Sequence, residues 1–226
     1  MAKPRVLLSW SSGKDSAWAL HVLRQEAEVE VVGLLTTVNS VHQRVAMHAV
    51  REQLLEQQAE AAGLPLWKIA LPWPCSNDFY ETAMAAVMER ARNEGINDIA
   101  YGDLFLEDIR AYREARHAGT GIGTRFPLWH MPTGVLARTM VAGGLRACLT
   151  CVDPGQLAPA FAGREFDERL LMDLPASVDP CGENGEFHTF AYAGPMFMDS
   201  IAISKGEVVQ RDGFVFADLL CPSAPR

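Results

Sequence analysis

Apolar positions in the first half of the chain switch repeatedly between the period of a strand and that of a helix. Val6-Leu7-Leu8-Ser9-Trp10 reads as a continuous apolar run, as expected for a strand covered on both faces in a parallel sheet, and a Ser/Gly turn then leads into a helical pattern. Val29 to Val38 is a second β-rich run. Val50, Leu54, Leu55, Ala59 and Ala62 then mark a helical stripe that stops at Gly63. Leu66 to Leu71 predicts a third strand, closed by Pro72 and Pro74. Asp78 with Glu81 three residues on predicts a capped helix start, and Phe79, Ala83, Ala86, Val87 and Ala91 form that helix's buried stripe. Gly95 ends it, Asp98 to Tyr101 predicts a fourth strand, and Gly102-Asp103 falls where that strand should end.

β-α units repeating about every 30 residues call for an α/β fold with a mostly parallel sheet and right-handed crossovers, in which ligands bind beyond the carboxyl ends of the strands. The texture changes after Pro127. A helix is expected around Thr133 to Gly143, a strand over Ala147 to Val152, and further strands near Thr189 to Tyr192, Met196 to Ser204 and Glu207 to Phe216, the last two joined by a turn at Lys205-Gly206. This predicts a parallel-sheet, Rossmann-like domain over residues 1–125 and a smaller α+β domain over residues 126–226.

Composition narrows the function classes. In 226 residues, 49% hydrophobic and 21% charged, the chain is globular, and a net charge of −8 removes the basic surface on which non-specific polyphosphate binding depends. Nucleic acid is not expected as a partner. The first apolar run is too short for a signal-peptide core or a membrane span, so a cytoplasmic location is expected. Five cysteines, an odd number, fit reduced thiols rather than a disulfide framework.

Three segments carry candidate chemistry. Ser9-Trp10-Ser11-Ser12-Gly13-Lys14-Asp15-Ser16 lies between the first strand and first helix, where backbone N–H groups and the helix dipole favour an anion. It is not a Walker A loop, because Leu8 and Asp15 stand where that motif needs Gly and Ser or Thr. Ser11, Ser12 and Ser16 can donate hydroxyl hydrogen bonds to phosphate, and Lys14 can add positive charge. Gly102 to Glu114 begins at the end of the fourth strand; Asp103 and Glu107 can hold Mg²⁺ on phosphate oxygens there, and Arg110 can clamp a carboxylate. Arg113 and Glu114 read equally well as a solvated helix face. Asp179 to Thr189 packs Glu183, Glu186 and His188 between glycines, a set suited to binding ammonium or moving a proton.

Ser11 to Ser16 resembles the pyrophosphate loop of the N-type ATP pyrophosphatases, usually Ser-Gly-Gly-Lys-Asp-Ser, with Ser12 in place of a glycine. Taken with Gly102-Asp103, Glu107-Asp108-Ile109-Arg110, Pro127-Leu128-Trp129 and Gly182 to Thr189, in that order, the chain resembles the diphthine–ammonia ligase family. The resemblance implies an adenine nucleotide alpha hydrolase type of domain, followed by a family-specific one. It also implies a reaction in which ATP activates a carboxylate as an acyl-adenylate and ammonia displaces AMP. On this reading Ser9, Ser11, Ser12, Gly13, Lys14, Asp15, Ser16 and Gly102 surround the phosphates of ATP. Lys14 and Mg²⁺, positioned by Asp103, neutralise charge, and Thr36 and Thr37 lie beside the adenosine. Glu183, Glu186 and His188 orient the carboxylate or the ammonia, and Glu107, Arg110 and Trp129 contact the acceptor. Diphthine on elongation factor 2 is the candidate acceptor where the source organism makes diphthamide.

Two rivals stand beside this reading. Cys148-Leu-Thr-Cys151 has the spacing used by pyrophosphate-loop enzymes that thiolate tRNA, although it reads better as structural thiols on a buried strand. A non-catalytic ATP-binding sensor would use the same loop without turnover. No interface stripe can be told from core in the sequence, so no oligomeric state is expected over another.

Overall fold

The computed structural model describes residues 2–40, 44–45 and 50–222. Its first half runs β1 (Arg5–Ser9), α1 (Lys14–Glu26), β2 (Glu30–Asn39), a two-residue β3 (Arg44–Val45), α2 (Glu52–Ala62), β4 (Leu66–Leu71), α3 (Asn77–Asn93), β5 (Asp98–Ala100), α4 (Glu107–His117) and β6 (Gly123–Arg125). Five strands pair in parallel in the order β4-β2-β1-β5-β6, and β3 adds antiparallel to the far end of β2. The apolar run of β1 is explained by its two covered faces. Val6 and Leu8 join one hydrophobic cluster with Ala17, Leu20, Leu54 and Leu55 of α1 and α2, whereas Leu7 joins a second with Val87, Met88 and Ala91 of α3.

Strand order reverses at β1, with β2 and β4 on one side and β5 and β6 on the other. The crevice at such a switch point, beyond the carboxyl ends of β1 and β5, is where an open parallel sheet binds ligand.

The second half contains α5 (Thr133–Ala142), β7 (Arg146–Val152), α6 (Glu168–Asp173), β8 (Phe187–Ala193), β9 (Ser204–Arg211) and β10 (Phe214–Leu220), and its strands form an antiparallel sheet of order β8-β7-β10-β9. Leu149, Phe187 and Phe190 of this sheet share one cluster with Val6, Leu8 and Leu20 of the first half. α1 touches β1 and β2 on one side and β8 on the other, so it is buried nearly all round. Among the described residues no helix is long and apolar enough to cross a membrane.

Three sequence expectations are corrected here. α3 is capped by Ser76, whose side chain accepts from the Phe79 N–H, and Asp78 lies inside the first turn. The last hairpin turns at Asp212-Gly213 rather than at Lys205-Gly206, which lies inside β9. Asp212 and Gly213 have φ of 52° and 85°, the paired positive angles of a type I′ turn, whose twist suits a two-residue hairpin. Met196 to Ile203 is not a strand: Met196, Phe197 and Ile201 are buried individually, and the backbone bonds sideways, Met198 N–H to the Ala61 carbonyl and Ile201 N–H to that of Tyr192.

Candidate active site

The loop between β1 and α1 is held by its neighbours rather than by itself. Ser12 sits at φ 70°, a left-handed conformation that a glycine would adopt without strain and a serine adopts only when its surroundings enforce it. Its carbonyl accepts from Gln58 Nε2 (2.9 Å) and from the Ala191 N–H (3.0 Å). Gln58 itself is 0% exposed, accepts from Trp10 Nε1 (2.9 Å) and donates to the Ala191 carbonyl (2.6 Å), so one side chain ties β1, the loop and β8 together. The Lys14 N–H completes the clasp by donating to Thr189 Oγ1 (3.0 Å). Gln58→Leu leaves the Trp10 indole and the Ala191 carbonyl without their partners and is expected to lower stability by about 2–3 kcal/mol. Denaturant unfolding checks this, and a variant within half a kcal/mol of the parent would remove Gln58 from the clasp.

Beyond the loop opens a cleft of about 920 Å³, lined by Ser9, Ser11, Thr36 and Thr37 on the sheet side and by Tyr80, Tyr101, Arg113 and His117 from β5, α3 and α4 and their ends. The Ser11 and Ser16 hydroxyls lie 3.2 Å apart, and Ser11 Oγ accepts from the Gly13 N–H (3.3 Å). Among the described residues, three buried side-chain oxygens have no hydrogen-bond partner: Ser12 Oγ, Asp15 Oδ1 and Thr36 Oγ1, all from the predicted nucleotide set. Gly102 closes the loop from the β5 side. A Cβ there would come within 3.0–3.2 Å of the Asp15 and Ser16 backbone, so no larger residue lets β5 approach the first turn of α1 this closely.

Three predicted residues are placed differently from their expected roles. Lys14 is 2% exposed and does not line the cleft; its Nζ turns toward the second half, donating to Asp15 Oδ2 (2.8 Å) and to the Cys181 carbonyl and lying 5.4–5.6 Å from the Phe166 and Phe187 ring centres. The reason is α1, whose first turn is wedged against β8, so that the side chain at this position faces the antiparallel sheet. Glu186 is buried in its own loop, accepting from the Asp179 N–H (2.9 Å), the Asn184 N–H (2.9 Å) and the Asn184 side chain (3.1 Å), and so shapes the loop. Asp103, assigned to a metal, is gripped by Arg113 through Nε (2.5 Å) and Nη2 (3.1 Å).

Glu183 is the acid of this segment that faces the loop. Its Oε1 accepts from the Leu104 N–H (2.7 Å), and burial, with Asp15 and Asp103 nearby, pushes its carboxyl up to about 7 against the pull of that N–H and of Lys14. His188 is half-buried on β8, outside the lining of the cleft. Glu107, Arg110 and Trp129 form a group of their own, also outside that lining. The Arg110 guanidinium lies 4.9 Å from the Trp129 ring centre and bonds Glu114 (2.7 Å), and Glu107 is 3.5 Å from His130.

Five contributors escaped the sequence reading. Gln58 left a trace, a polar residue on the apolar stripe of α2 between Leu54, Leu55 and Ala62. Thr189 closes the Gly182 to Thr189 motif in the sequence but carries no assigned role there. Arg113, which in the sequence reads equally well as part of a solvated face, lines the cleft, with its guanidinium 4.2 Å from the Tyr101 ring centre. Tyr101 and His117 pair at 2.8 Å; Nδ1 of His117 faces the Ile122 carbonyl (3.0 Å) and must carry the proton, so Nε2 accepts from the tyrosine hydroxyl. Burial lowers the His117 pKa, in keeping with a neutral ring.

Cys148 and Cys151 are buried on β7, and burial pushes their thiols up to about 11 and about 12, far from a reactive thiolate. Among the described residues there is no group of three or more His, Cys, Asp or Glu side chains that could hold a metal ion.

Comparison with known proteins agrees with this architecture. The family model described as the diphthamide synthase N-terminal domain matches residues 4–116, and that of the diphthamide synthase C-terminal domain matches residues 133–217. The chain is similar to the diphthine–ammonia ligase of Mus musculus, 25% identical over 239 residues covering 94% of this chain and 88% of that protein, and equally to the one from Homo sapiens. A shorter stretch of 87 residues is 31% identical to the diphthine–ammonia ligase of Schizosaccharomyces pombe, covering 37% of this chain and 14% of that one. With both halves matched in order, one on the parallel sheet and its helices and the other on the antiparallel sheet, the chain belongs to the diphthamide synthase family.

Proposed function

We propose that this protein is an ATP-dependent ligase that adenylates a substrate carboxylate and amidates it with ammonia, releasing AMP and pyrophosphate. The observation that carries the reading is Thr36 Oγ1, a buried oxygen with no partner on the wall of a cleft at the switch point of the sheet, with Ser12 Oγ and Asp15 Oδ1 also unmet in the adjoining loop. Buried polar atoms are nearly always paired in folded proteins, and an unmet oxygen on a nucleotide-sized cleft supports a polar ligand that meets it.

Thr36 and Thr37, at the carboxyl end of β2, would bind the nucleoside, and Ser11, Ser12, Gly13 and Ser16 the phosphates. Mg²⁺, which takes one or two carboxylates and completes its shell from phosphate oxygens and water, would be held by Asp103 only once that carboxylate leaves Arg113, and would supply charge neutralisation. Lys14 holds the loop against Cys181 instead of touching phosphate. Glu183, poised near neutrality, would take the proton that ammonium must lose before nitrogen attacks the activated carbonyl. The names of the relatives make diphthine the first acceptor to try, and the family resemblance in the sequence implies that it is carried on elongation factor 2.

Incubation with ATP, Mg²⁺ and ammonium, with and without a panel of carboxylates that includes diphthine-bearing elongation factor 2, tests this. AMP and pyrophosphate are expected only with an acceptor. ADP and phosphate would overturn the adenylation, and binding without turnover across the panel would favour a nucleotide sensor.

A further inference from the structure

We propose that Arg113 is the cation that binds the anionic tail of the nucleotide, the task that the pyrophosphate-loop sequence assigns to Lys14. This rests on the nucleotide reading of the cleft and adds a specific residue to it. Lys14 cannot serve in the conformation seen: its ammonium group is committed to Asp15 and the Cys181 carbonyl, on the side of the loop away from the cleft. Without another cation, the acids near the loop that Lys14 does not pair with, Asp103 and Glu183, would repel a polyphosphate.

Three arginines line the cleft. Arg92 is exposed, and Arg116 pairs with Glu81 on the solvent side, where that glutamate is 58% exposed. Arg113 differs, because its partner Asp103 is 16% exposed and stands immediately beyond β5. β5 lies beside β1 with Ala100 opposite Leu8, and Gly102, the neighbour of Asp103, approaches the Asp15–Ser16 backbone. The guanidinium that grips Asp103 lines the same cleft as Ser9 and Ser11.

Arg113 is also preorganised for an oxyanion. Its plane is set by the Tyr101 ring at 4.2 Å, and that ring is held by the hydrogen bond to His117 and by stacking on Phe126 at 5.8 Å. Two of its five N–H donors go to Asp103, and among the described residues it makes no other hydrogen bond, which leaves donors for a phosphate. Asp103 acts as a resident counter-ion. It keeps the guanidinium in place and compensated in the empty cleft, and yields to the more highly charged ligand.

Equilibrium binding of ATP and of adenosine, measured in EDTA so that no metal contributes, separates this role from a structural one. For Arg113→Gln, ATP affinity should fall at least tenfold while adenosine affinity stays within twofold, and Arg113→Lys should recover part of the ATP affinity. Asp103→Asn removes the competing acceptor and one repulsive charge, and should tighten ATP a few-fold while adenosine affinity stays within twofold; this arm stands even where Arg113→Gln fails to fold. The assignment is overturned if Arg113→Gln binds ATP like the parent, if it loses ATP and adenosine in equal proportion, or if Asp103→Asn fails to tighten ATP. A parent protein that binds neither ligand would instead overturn the nucleotide reading on which the assignment rests.

Discussion

Lys14→Met is expected to cost the ligand-free protein about 4 kcal/mol of folding stability, read as a shift of the denaturant midpoint at constant m-value. Methionine fills nearly the same volume beside Phe166 and Phe187, so the loss is electrostatic. It leaves Asp15, 2.8 Å away in the parent, with no counter-ion and the Cys181 carbonyl with no donor. Removing one partner of a buried pair costs about 3–5 kcal/mol, and the lower part of that range applies because the Asp15 side chain is 26% exposed; the orphaned carbonyl adds ~1 kcal/mol. Burial alone would lower the Lys14 pKa, yet Asp15, Cys181 and Glu183 together carry it above its ordinary value, so the ammonium stays charged, while burial raises the Asp15 pKa against the pull of Lys14.

The double variant Lys14→Met, Asp15→Asn should cost less than the sum of the two single changes, with a coupling of about 1–3 kcal/mol. A lysine that served only to contact phosphate would behave in the opposite way. Its removal would leave ligand-free stability within half a kcal/mol of the parent and would show only in nucleotide affinity.

The sequence made the parallel sheet legible because strands covered on both faces have nowhere to put polar side chains, and Leu8, Leu34 and Ile99 all sit in such strands. β6, a Gly-Thr-Arg edge strand, carries no apolar run, and β3 is two residues long, so neither left a pattern to find. The Asp212-Gly213 turn was readable in principle from the dipeptide alone, and was obscured by the apolar stretch before it, whose residues enter the core from irregular backbone. The anion loop was legible for a simple reason: small residues between a strand and a helix have one common use. The directions of its side chains were not. Lys14 and Ser11 lie three residues apart and face opposite sides of the loop, an outcome set by the docking of α1 on β8, which no local pattern encodes. Arg113 was hidden similarly, since a helix of alternating charge shows its half-buried cation only once Tyr101 and Asp103 are placed against it.

Glu183→Gln carries the largest expected effect on turnover, a fall of about 10²–10⁴ in the amidation rate, with stability moving the other way. The carboxyl is pushed up to about 7, so in the parent kcat/KM for ammonia should rise with pH through that value as the carboxylate form appears, then level off. Glutamine keeps an oxygen to accept the Leu104 N–H but cannot take a proton, so the residual rate should lose this acid limb. The stability sign follows from linkage. The native carboxyl binds its proton more tightly than the unfolded one, whose pKa is near 4.5, so its contribution is lost as pH rises from there through about 7. Glu183→Gln should therefore unfold at higher denaturant than the parent above pH 7, with the gap closing below pH 4.5. Measuring both profiles on one variant separates a base from a scaffold: a residue that merely ordered the Gly182–Gly185 turn would lose rate and stability together, at every pH, and an acid limb that persisted in the variant would assign the proton to another group.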